Sequence, residues 1–330
     1  MKGIARLGNA VQAALSLIRG VGLRKLDSGD NKPARCRICQ GQLLHKWTLR
    51  VLAEKYPAEY HECTTCRSLQ IPHPFWLDEA YQSESAPLAC NPDGSRFIRN
   101  FSAYHYLTAL HKAGVFPPEP CLLDFGGGYG LLTQMLYSAG YNAYQTDPYV
   151  PVPFLASQRS IADFEQIPEA AFDGITALEV LEHLTDPHET LMRLFRILKH
   201  TGTLIFSTNI YESGVHDESW NYLAREWGQH VTFWSKPALR YLAGRHGFRS
   251  VGYFPGGEGF LILFSRTCPD SFKLMLTEAT AYLSDHQQLA QAVRSWDLLA
   301  LLGTPIPKEG LVQAATPNGR NDLFQAERAA

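Results

Sequence analysis

The sequence feature that most constrains the fold is the run CLLDFGGGYG, from Cys121 to Gly130. Its apolar start ends in Asp124 and opens into a loop that contains Gly126, Gly128 and Gly130, and the helix-forming run LLTQMLYS follows. A tight turn from a strand into a helix needs backbone conformations, and a close ligand approach, that a Cβ would block. The run therefore predicts a strand, a glycine-rich ligand-binding turn and a helix.

The chemistry around this loop indicates which ligand it binds. Its spacing is G-x-G-x-G, whereas the dinucleotide fingerprint is G-x-G-x-x-G, and Asp124 stands two residues before Gly126. A carboxylate at the mouth of the loop suits a cationic ligand better than a pyrophosphate. S-adenosylmethionine (SAM) carries an ammonium and a sulfonium and no phosphate, so we expect SAM here. A turn that only packs is the alternative.

Further candidate cofactor residues follow the glycine loop. The run YNAYQTD predicts a second strand that ends in Asp147, close to the roughly 20-residue offset at which such folds place an acid on a ribose. Asp163 and Phe164 offer a carboxylate and an aromatic face for adenine. Glu179 ends the next predicted strand. We expect these acids and Asp124 to lie at the carboxyl ends of parallel strands, where ligands bind.

Strands and helices alternate between residues 120 and 210, which predicts a parallel sheet with helices on both faces. Asp186 is a predicted N-cap, and the helix after it is expected to end near Gly202. A helix is also predicted over 96–115, before the first strand. Helical spacing over 270–302 predicts an appendage after the sheet.

Four of the seven cysteines form two CxxC pairs, Cys36 with Cys39 and Cys63 with Cys66. Four thiolates at this spacing can converge tetrahedrally on Zn²⁺ and leave no open coordination position, so we expect a structural zinc. A redox pair is the minor alternative. Because the segment is poor in apolar residues, we expect the metal to stabilise it.

Several motifs in order resemble the class I SAM-dependent methyltransferases over residues 96–265: LLDFGGGYG, Asp147, ALEVLEHLTDP and LMRLFRILKHTGTLIFST. With the CxxC pairs in front, the chain resembles zinc-binding methyltransferases, sugar C-methyltransferases of the antibiotic deoxysugar type among them. The resemblance implies an α/β fold with a Rossmann-like sheet and helices on both faces. A zinc-ribbon-like module would precede this sheet, and a helical appendage would follow it.

In those relatives a His before a short aromatic-Ser stretch is the catalytic base, and GQHVTFWS places His230 at that position. The relatives carry a Tyr three residues earlier, where this chain has Trp227. We expect His183, at a strand end, to orient the substrate or the methionine moiety, and the aromatic segment 210–236 to form the acceptor pocket. The other base candidates are His216, Glu179 and Glu182.

Charge and hydropathy exclude some function classes. The net charge is −2, and without a basic footprint we expect no nucleic-acid partner. No uncharged apolar run reaches the roughly 18–20 residues of a membrane span, so we expect a soluble, cytoplasmic protein. Residues 1–25 hold five cations, no acid and an apolar stripe. Contact with a membrane surface is one interpretation of this segment, beside packing on the protein or disorder.

The expected organisation has five parts: an amphipathic segment (1–30), a zinc-binding module (31–75), a SAM-dependent methyltransferase domain (96–268), a helical appendage (269–303) and a disordered tail (304–330). The leading hypothesis is a methyltransferase for a small-molecule or glycan acceptor, nucleotide sugars included. A protein or RNA methyltransferase that uses the module for recognition is the alternative. A non-catalytic SAM-fold scaffold is the third interpretation.

Overall fold

The computed structural model describes residues 34–82, 94–147, 150, 157–254 and 261–285. The predicted N-terminal segment and C-terminal tail, and most of the predicted appendage, lie outside these residues. In the described part of the chain, no helix is long and apolar enough to cross a membrane.

The main sheet has six strands and confirms the predicted class I topology. The six strands are β4 (Cys121–Phe125), β5 (Asn142–Thr146), β6 (Phe172–Leu178), β7 (Leu198–Ser207), β9 (Ser250–Phe254) and β10 (Leu261–Ser265). Their order across the sheet is β5-β4-β6-β7-β10-β9. The first four strands in this order are parallel, and β10 is antiparallel to both of its neighbours.

Helices cover both faces of this sheet. The described helices are α1 (Leu77–Gln82), α2 (Gly94–Lys112), α3 (Leu131–Ser138), α4 (Pro187–Ile197), α5 (Lys236–Arg245) and α6 (Pro269–Asp285). Successive side chains of β7 point to opposite faces of the sheet and enter two different cores. Leu204 and Phe206 pack with leucines of α4 and α5 on one face. Ile205 packs with residues of α2, α3 and α6 on the other face. Each fully buried leucine contributes about 1.5–3 kcal/mol to these two layers.

Helix α4 begins as predicted and ends earlier than predicted. The Asp186 side chain accepts a hydrogen bond from the backbone N of Glu189 at 3.0 Å, which confirms the cap. The helix ends at Ile197 because Leu198 takes an extended conformation and pairs with Phe172 at the start of β6. The run up to Gly202 therefore belongs to β7.

A second, antiparallel sheet holds the two CxxC pairs. It consists of β1 (Leu43–Val51), β2 (Tyr56–Cys63), β3 (Leu69–Gln70) and β8 (Thr232–Phe233). Contrary to the expected lack of apolar packing, this sheet has a buried core that includes Tyr60, Ile71, Trp76 and Phe233. The core exists because aromatic residues from the 210–236 segment complete it, which the module's own sequence does not reveal.

Candidate functional site

The glycine loop follows β4 and is held tightly against the sheet. Gly126, Gly128 and Gly130 all take positive φ, at 74°, 57° and 88°. A Cβ added to Gly127 would lie 2.7 Å from the Gln145 Oε1 atom and 2.8 Å from the Asp124 Oδ2 atom. Side chains at these positions would strain or displace the loop, so the loop requires glycine for geometric reasons.

Asp124 lies beneath this loop. Its side chain is buried and accepts a hydrogen bond from Thr176 Oγ1 at 2.7 Å. Burial raises the pKa of Asp124 to about 7, with a smaller contribution in the same direction from the charge of Asp147. The side-chain amide of Gln145 is also buried there, without a hydrogen-bond partner among the described residues. Buried polar side chains therefore support the loop from below.

Asp147 comes directly after β5 and reaches the glycine loop. Its Oδ2 atom accepts a hydrogen bond from the backbone N of Gly128 at 2.8 Å, and its Oδ1 atom accepts one from the backbone N of Val150 at 3.0 Å. Each carboxylate oxygen can accept two hydrogen bonds. These contacts are therefore compatible with a pair of ribose hydroxyls on the same carboxylate.

Asp163 and Phe164 begin a short 3-10 turn. Asp163 accepts hydrogen bonds from the backbone N of Glu165 at 3.0 Å and from the Gln166 side chain at 2.7 Å. The Phe164 ring lies 5.4 Å from the ring of Phe125, the residue that precedes the glycine loop. The structure thus brings Phe164 next to the loop, whereas the described contacts of Asp163 cap its own turn.

The residues around the glycine loop fit SAM. The loop provides a cradle that a Cβ would fill, and Asp147 supplies hydroxyl acceptors at its edge. Phe164 adds an aromatic face nearby. These are the features that a nucleoside with an amino-acid tail requires from a site at the carboxyl ends of parallel strands.

Glu179 follows β6 and has a left-handed backbone, with φ at 52°. A non-glycine residue in this region carries about 1–3 kcal/mol of strain, which is common at functional sites. The Oε1 atom of Glu179 accepts a hydrogen bond from Ser207 Oγ at 2.8 Å, and its Oε2 atom lies 3.3 Å from the Tyr222 hydroxyl oxygen. Glu179 therefore borders a second group of polar side chains.

We call this group the acceptor cluster; it consists of Glu182, His183, Tyr222 and His230. The Nε2 atoms of His183 and His230 each lie 4.0 Å from Glu182 Oε1. The two imidazole rings stand edge to face with centroids 4.8 Å apart. The Tyr222 hydroxyl donates to Glu182 Oε1 at 2.7 Å. The two histidines predicted from the sequence thus meet around one carboxyl group.

Hydrogen bonds assign the tautomers of the two histidines. The Nδ1 atom of His230 lies 2.8 Å from the carbonyl oxygen of Tyr222, so Nδ1 carries the proton and donates it. The Nδ1 atom of His183 lies 3.2 Å from the carbonyl oxygen of Gln229 and 3.0 Å from the Tyr81 hydroxyl. In the His230 ring the unprotonated Nε2 atom therefore lies on the side of Glu182.

Burial keeps His230 and Glu182 in their neutral forms. It lowers the pKa of His230; the charge of Arg99 acts in the same direction, and that of Glu179 opposes it. Burial, followed by the charge of Glu179, raises the pKa of Glu182 well above its usual range. The Oε2 atom of Glu182 has no hydrogen-bond partner within the described part of the chain. Near neutral pH, Nε2 of His230 is thus available as a base.

Tyr222 is the residue that sequence reasoning missed. Trp227, at the position where the relatives carry Tyr, is 43% exposed, while the Tyr222 ring lies 4.7 Å from the His230 ring. The aromatic pattern of 210–236 included Tyr222 without singling it out. His216, another base candidate, instead stacks on Trp220 at 4.2 Å.

The four cysteines of the CxxC pairs form one cluster, which we call the cysteine cluster. The Sγ atoms of Cys36 and Cys66 are 3.6 Å apart, those of Cys39 and Cys63 are 3.4 Å apart, and all four lie within 4.8 Å. Tetrahedral zinc with Zn–S bonds of about 2.3 Å separates its sulfurs by roughly 3.8 Å. The Gln70 side chain donates to Cys36 Sγ at 3.1 Å. This donor set fits zinc.

Residues 97–252 match the protein family described as "Methyltransferase domain". Among curated proteins, an uncharacterized methyltransferase of Anoxybacillus flavithermus is 27% identical over 159 residues, 43% of this chain and 73% of that protein. A ubiquinone biosynthesis O-methyltransferase of Actinobacillus pleuropneumoniae is 32% identical over 142 residues, 36% of this chain. This chain spans 58% of that relative's length.

Among solved structures, human N-acetylserotonin methyltransferase in complex with SAM is 19% identical with a TM-score of 0.42, over 59% of this chain and 60% of that one. The family match includes the glycine loop and the whole acceptor cluster. It begins after the cysteine cluster.

Proposed function

We propose that this chain, a SAM-dependent methyltransferase, transfers a methyl group to a hydroxyl or an acidic carbon of a small-molecule or glycan acceptor, nucleotide sugars included. The observation that carries this proposal is the acceptor cluster. The buried Nε2 lone pair of His230 faces His183 and Glu182, and Glu179, which borders the cluster, follows β6 at the same edge of the sheet as the glycine loop.

SAM supplies an activated methyl group, and the chain binds and orients it. We assign the ribose to Asp147 and the adenine to Phe164 and Asp163. The loop would pack against the amino-acid tail, with Asp124 supporting it from below. The proposed cofactor residues are Asp124, Gly126, Gly128, Gly130, Asp147, Asp163, Phe164 and Glu179.

His230 is the proposed general base and His183 orients the acceptor. Bound SAM would supply the methyl group to the acceptor atom, and S-adenosylhomocysteine would be the product that leaves. The acceptor proton passes to Nε2 of His230, while the bond from Nδ1 to the Tyr222 carbonyl holds the ring in place. The nearby Glu179 charge stabilises the imidazolium.

A divalent ion on the acceptor cluster is the competing account, because atoms of Glu182, His183 and His230 suitable as metal ligands lie within 4.8 Å of one another. An ion there would occupy both Nε2 lone pairs, and His230 could not accept a proton. If turnover survives treatment with EDTA in protein that keeps one metal per chain, on the cysteine cluster, the result supports His230 as the general base. Activity restored only by added metal would overturn it.

We propose a structural Zn²⁺ on Cys36, Cys39, Cys63 and Cys66. The S···S distances and the Gln70 contact support this assignment. Seven cysteines, an odd number that includes two CxxC pairs, support a reducing location such as the cytoplasm. The pairing of β3 with β8 supports a structural role for the module, against a separate arm for recognising protein or RNA.

The acceptor is tested with SAM labelled on its methyl group. The relatives named as O-methyltransferases favour hydroxyl acceptors, so hydroxylated small molecules come first in the panel, followed by nucleotide sugars and glycans. We expect SAM to bind with micromolar affinity and the label to pass to one acceptor class. Folded, zinc-loaded protein that binds neither SAM nor S-adenosylhomocysteine in calorimetry would overturn the proposal and favour the scaffold.

A further inference from the structure

We propose that Arg37, which lies between two ligands of the cysteine cluster, positions both histidines of the acceptor cluster. The metal state of the cysteines would then set the geometry of the proton-transfer site. This inference rests on the proposed function, and it assigns the module a task that the methyl-transfer chemistry itself does not require.

The Arg37 guanidinium contacts the chain directly after each histidine. Its Nη1 atom donates to the carbonyl oxygen of Leu184 at 3.4 Å and to that of Val231 at 3.3 Å. Leu184 follows His183, and Val231 follows His230. Nη1 also donates to Thr232 Oγ1 at 2.9 Å, and Nη2 donates to the carbonyl oxygen of Ile71. One side chain thus joins both histidine-bearing segments to the module.

The two segments are already tied to each other. The backbone N of Val231 donates to the carbonyl oxygen of Glu182 at 2.9 Å. The Thr232 hydroxyl donates to the carbonyl oxygen of Leu184 at 2.8 Å. Because Arg37 contacts Leu184, Val231 and Thr232, a displacement of its guanidinium would alter the distances from the two Nε2 atoms to Glu182.

The other end of Arg37 is fixed by the cysteine cluster. Its backbone N donates to Gln70 Oε1 at 3.0 Å, and the Nε2 atom of the same amide donates to Cys36 Sγ at 3.1 Å. Burial lowers the pKa of Arg37 to about 10, and the charges of Cys36 and Asp186 oppose this shift, so the guanidinium stays protonated near neutral pH. In the same turn, the Ile38 carbonyl oxygen lies 2.6 Å from His188 Nε2.

Guanidinium geometry explains why arginine occupies this position. Its planar fork donates to four acceptors on three segments, which the compact ammonium of lysine cannot match. The acceptors are three carbonyl oxygens and a hydroxyl, and none is a carboxylate. Arg37 therefore acts here through the direction of its donors, and not through a paired anion.

The test compares Arg37→Gln with the matched control Arg50→Gln. Arg50 lies in the same module, and its guanidinium donates to the carbonyl oxygens of Glu54 and Lys55, away from both histidines. For each protein we would measure metal per chain, SAM affinity, kcat and KM, and the imidazole ¹⁵N signals of His183 and His230. We expect Arg37→Gln to keep its metal, to bind SAM within twofold of wild type, to lose at least tenfold in kcat and to shift both imidazole signals.

Wild-type kcat with unchanged imidazole signals in Arg37→Gln would overturn the inference, as would equal effects in Arg50→Gln. If Arg37→Gln does not fold, Arg37→Lys carries the test: shifted imidazole signals support positioning, and unchanged signals contradict it. The imidazole readout needs no turnover. If the wild-type protein transfers no methyl group but Arg37→Gln still shifts both imidazole signals relative to wild type, the proposed function fails and the positioning role of Arg37 stands.

Discussion

The glycine loop and the acceptor cluster lie at the same edge of the sheet and are built in different ways. The loop is local: its glycines, Asp124 and Asp147 come from one strand-turn-helix-strand unit. The acceptor cluster is assembled from distant segments, with His183 after β6 and both Tyr222 and His230 before β8. The cofactor half thus depends on short-range sequence, whereas the acceptor half depends on how the second sheet docks.

The largest effect should come from breaking the second sheet at its proposed metal site. Cys66→Ala removes one ligand of a cluster whose metal affinity is of the order of 10 kcal/mol in structural zinc sites. We expect loss of the metal, a much lower thermal midpoint and loss of activity, measured by metal analysis and calorimetry. Cys268→Ala, a cysteine outside the cluster, is the control. One zinc per chain and a wild-type midpoint in Cys66→Ala would contradict the metal assignment.

The next prediction distinguishes the acceptor half of the site from the cofactor half. His230→Ala should reduce kcat by about 10²–10⁴-fold, because it removes the proposed general base, and it should leave SAM affinity unchanged. Single-turnover kinetics and calorimetry measure the two quantities. His216→Ala, which removes an imidazole stacked on Trp220, should keep most of the activity. If His216→Ala were the inactive variant, the base would have to be reassigned.

The converse variant is Asp147→Ala, in the cofactor half. Losing hydrogen bonds to a charged group costs about 1.5–3 kcal/mol, so we expect SAM to bind roughly 10- to 150-fold more weakly. At saturating SAM, kcat should stay close to wild type. Asp217→Ala, which removes an exposed carboxylate bonded to Ser219, is the control. An unchanged SAM dissociation constant for Asp147→Ala would remove the ribose assignment.

The smallest effect is a shift in pH dependence. Burial holds the pKa of His230 below the usual value of about 6.5, so kcat/KM should fall only when the pH drops below that value. Because the charge of Arg99 lowers this pKa, Arg99→Met should raise it and move the acid limb to higher pH. Glu179→Gln should move the limb to lower pH, since the Glu179 charge raises the pKa. Shifts of the opposite sign would show that another group titrates.

Local signals in the sequence predicted the residues of the cofactor half of the site and few of the contacts in the acceptor half. The glycine spacing and the position of Asp147 are read along a single unit, and the structure brings them together. Tyr222 and Arg37 carried no such signal, because their contacts join residues far apart in the chain. The prediction that the module has little apolar packing was wrong for the same reason, because Phe233, which is distant in the sequence, completes its core.

The pairing of β3 with β8 also has a consequence for the growing chain. Leu69 pairs with Phe233, and Gln70 pairs with Thr232, so the second sheet cannot close until the ribosome has passed residue 233. At roughly 5–20 residues per second, the edge of β3 waits about ten to thirty seconds for its partner. During that interval the nascent module exposes an unpaired strand, and its cysteines can acquire zinc before the rest of the fold exists.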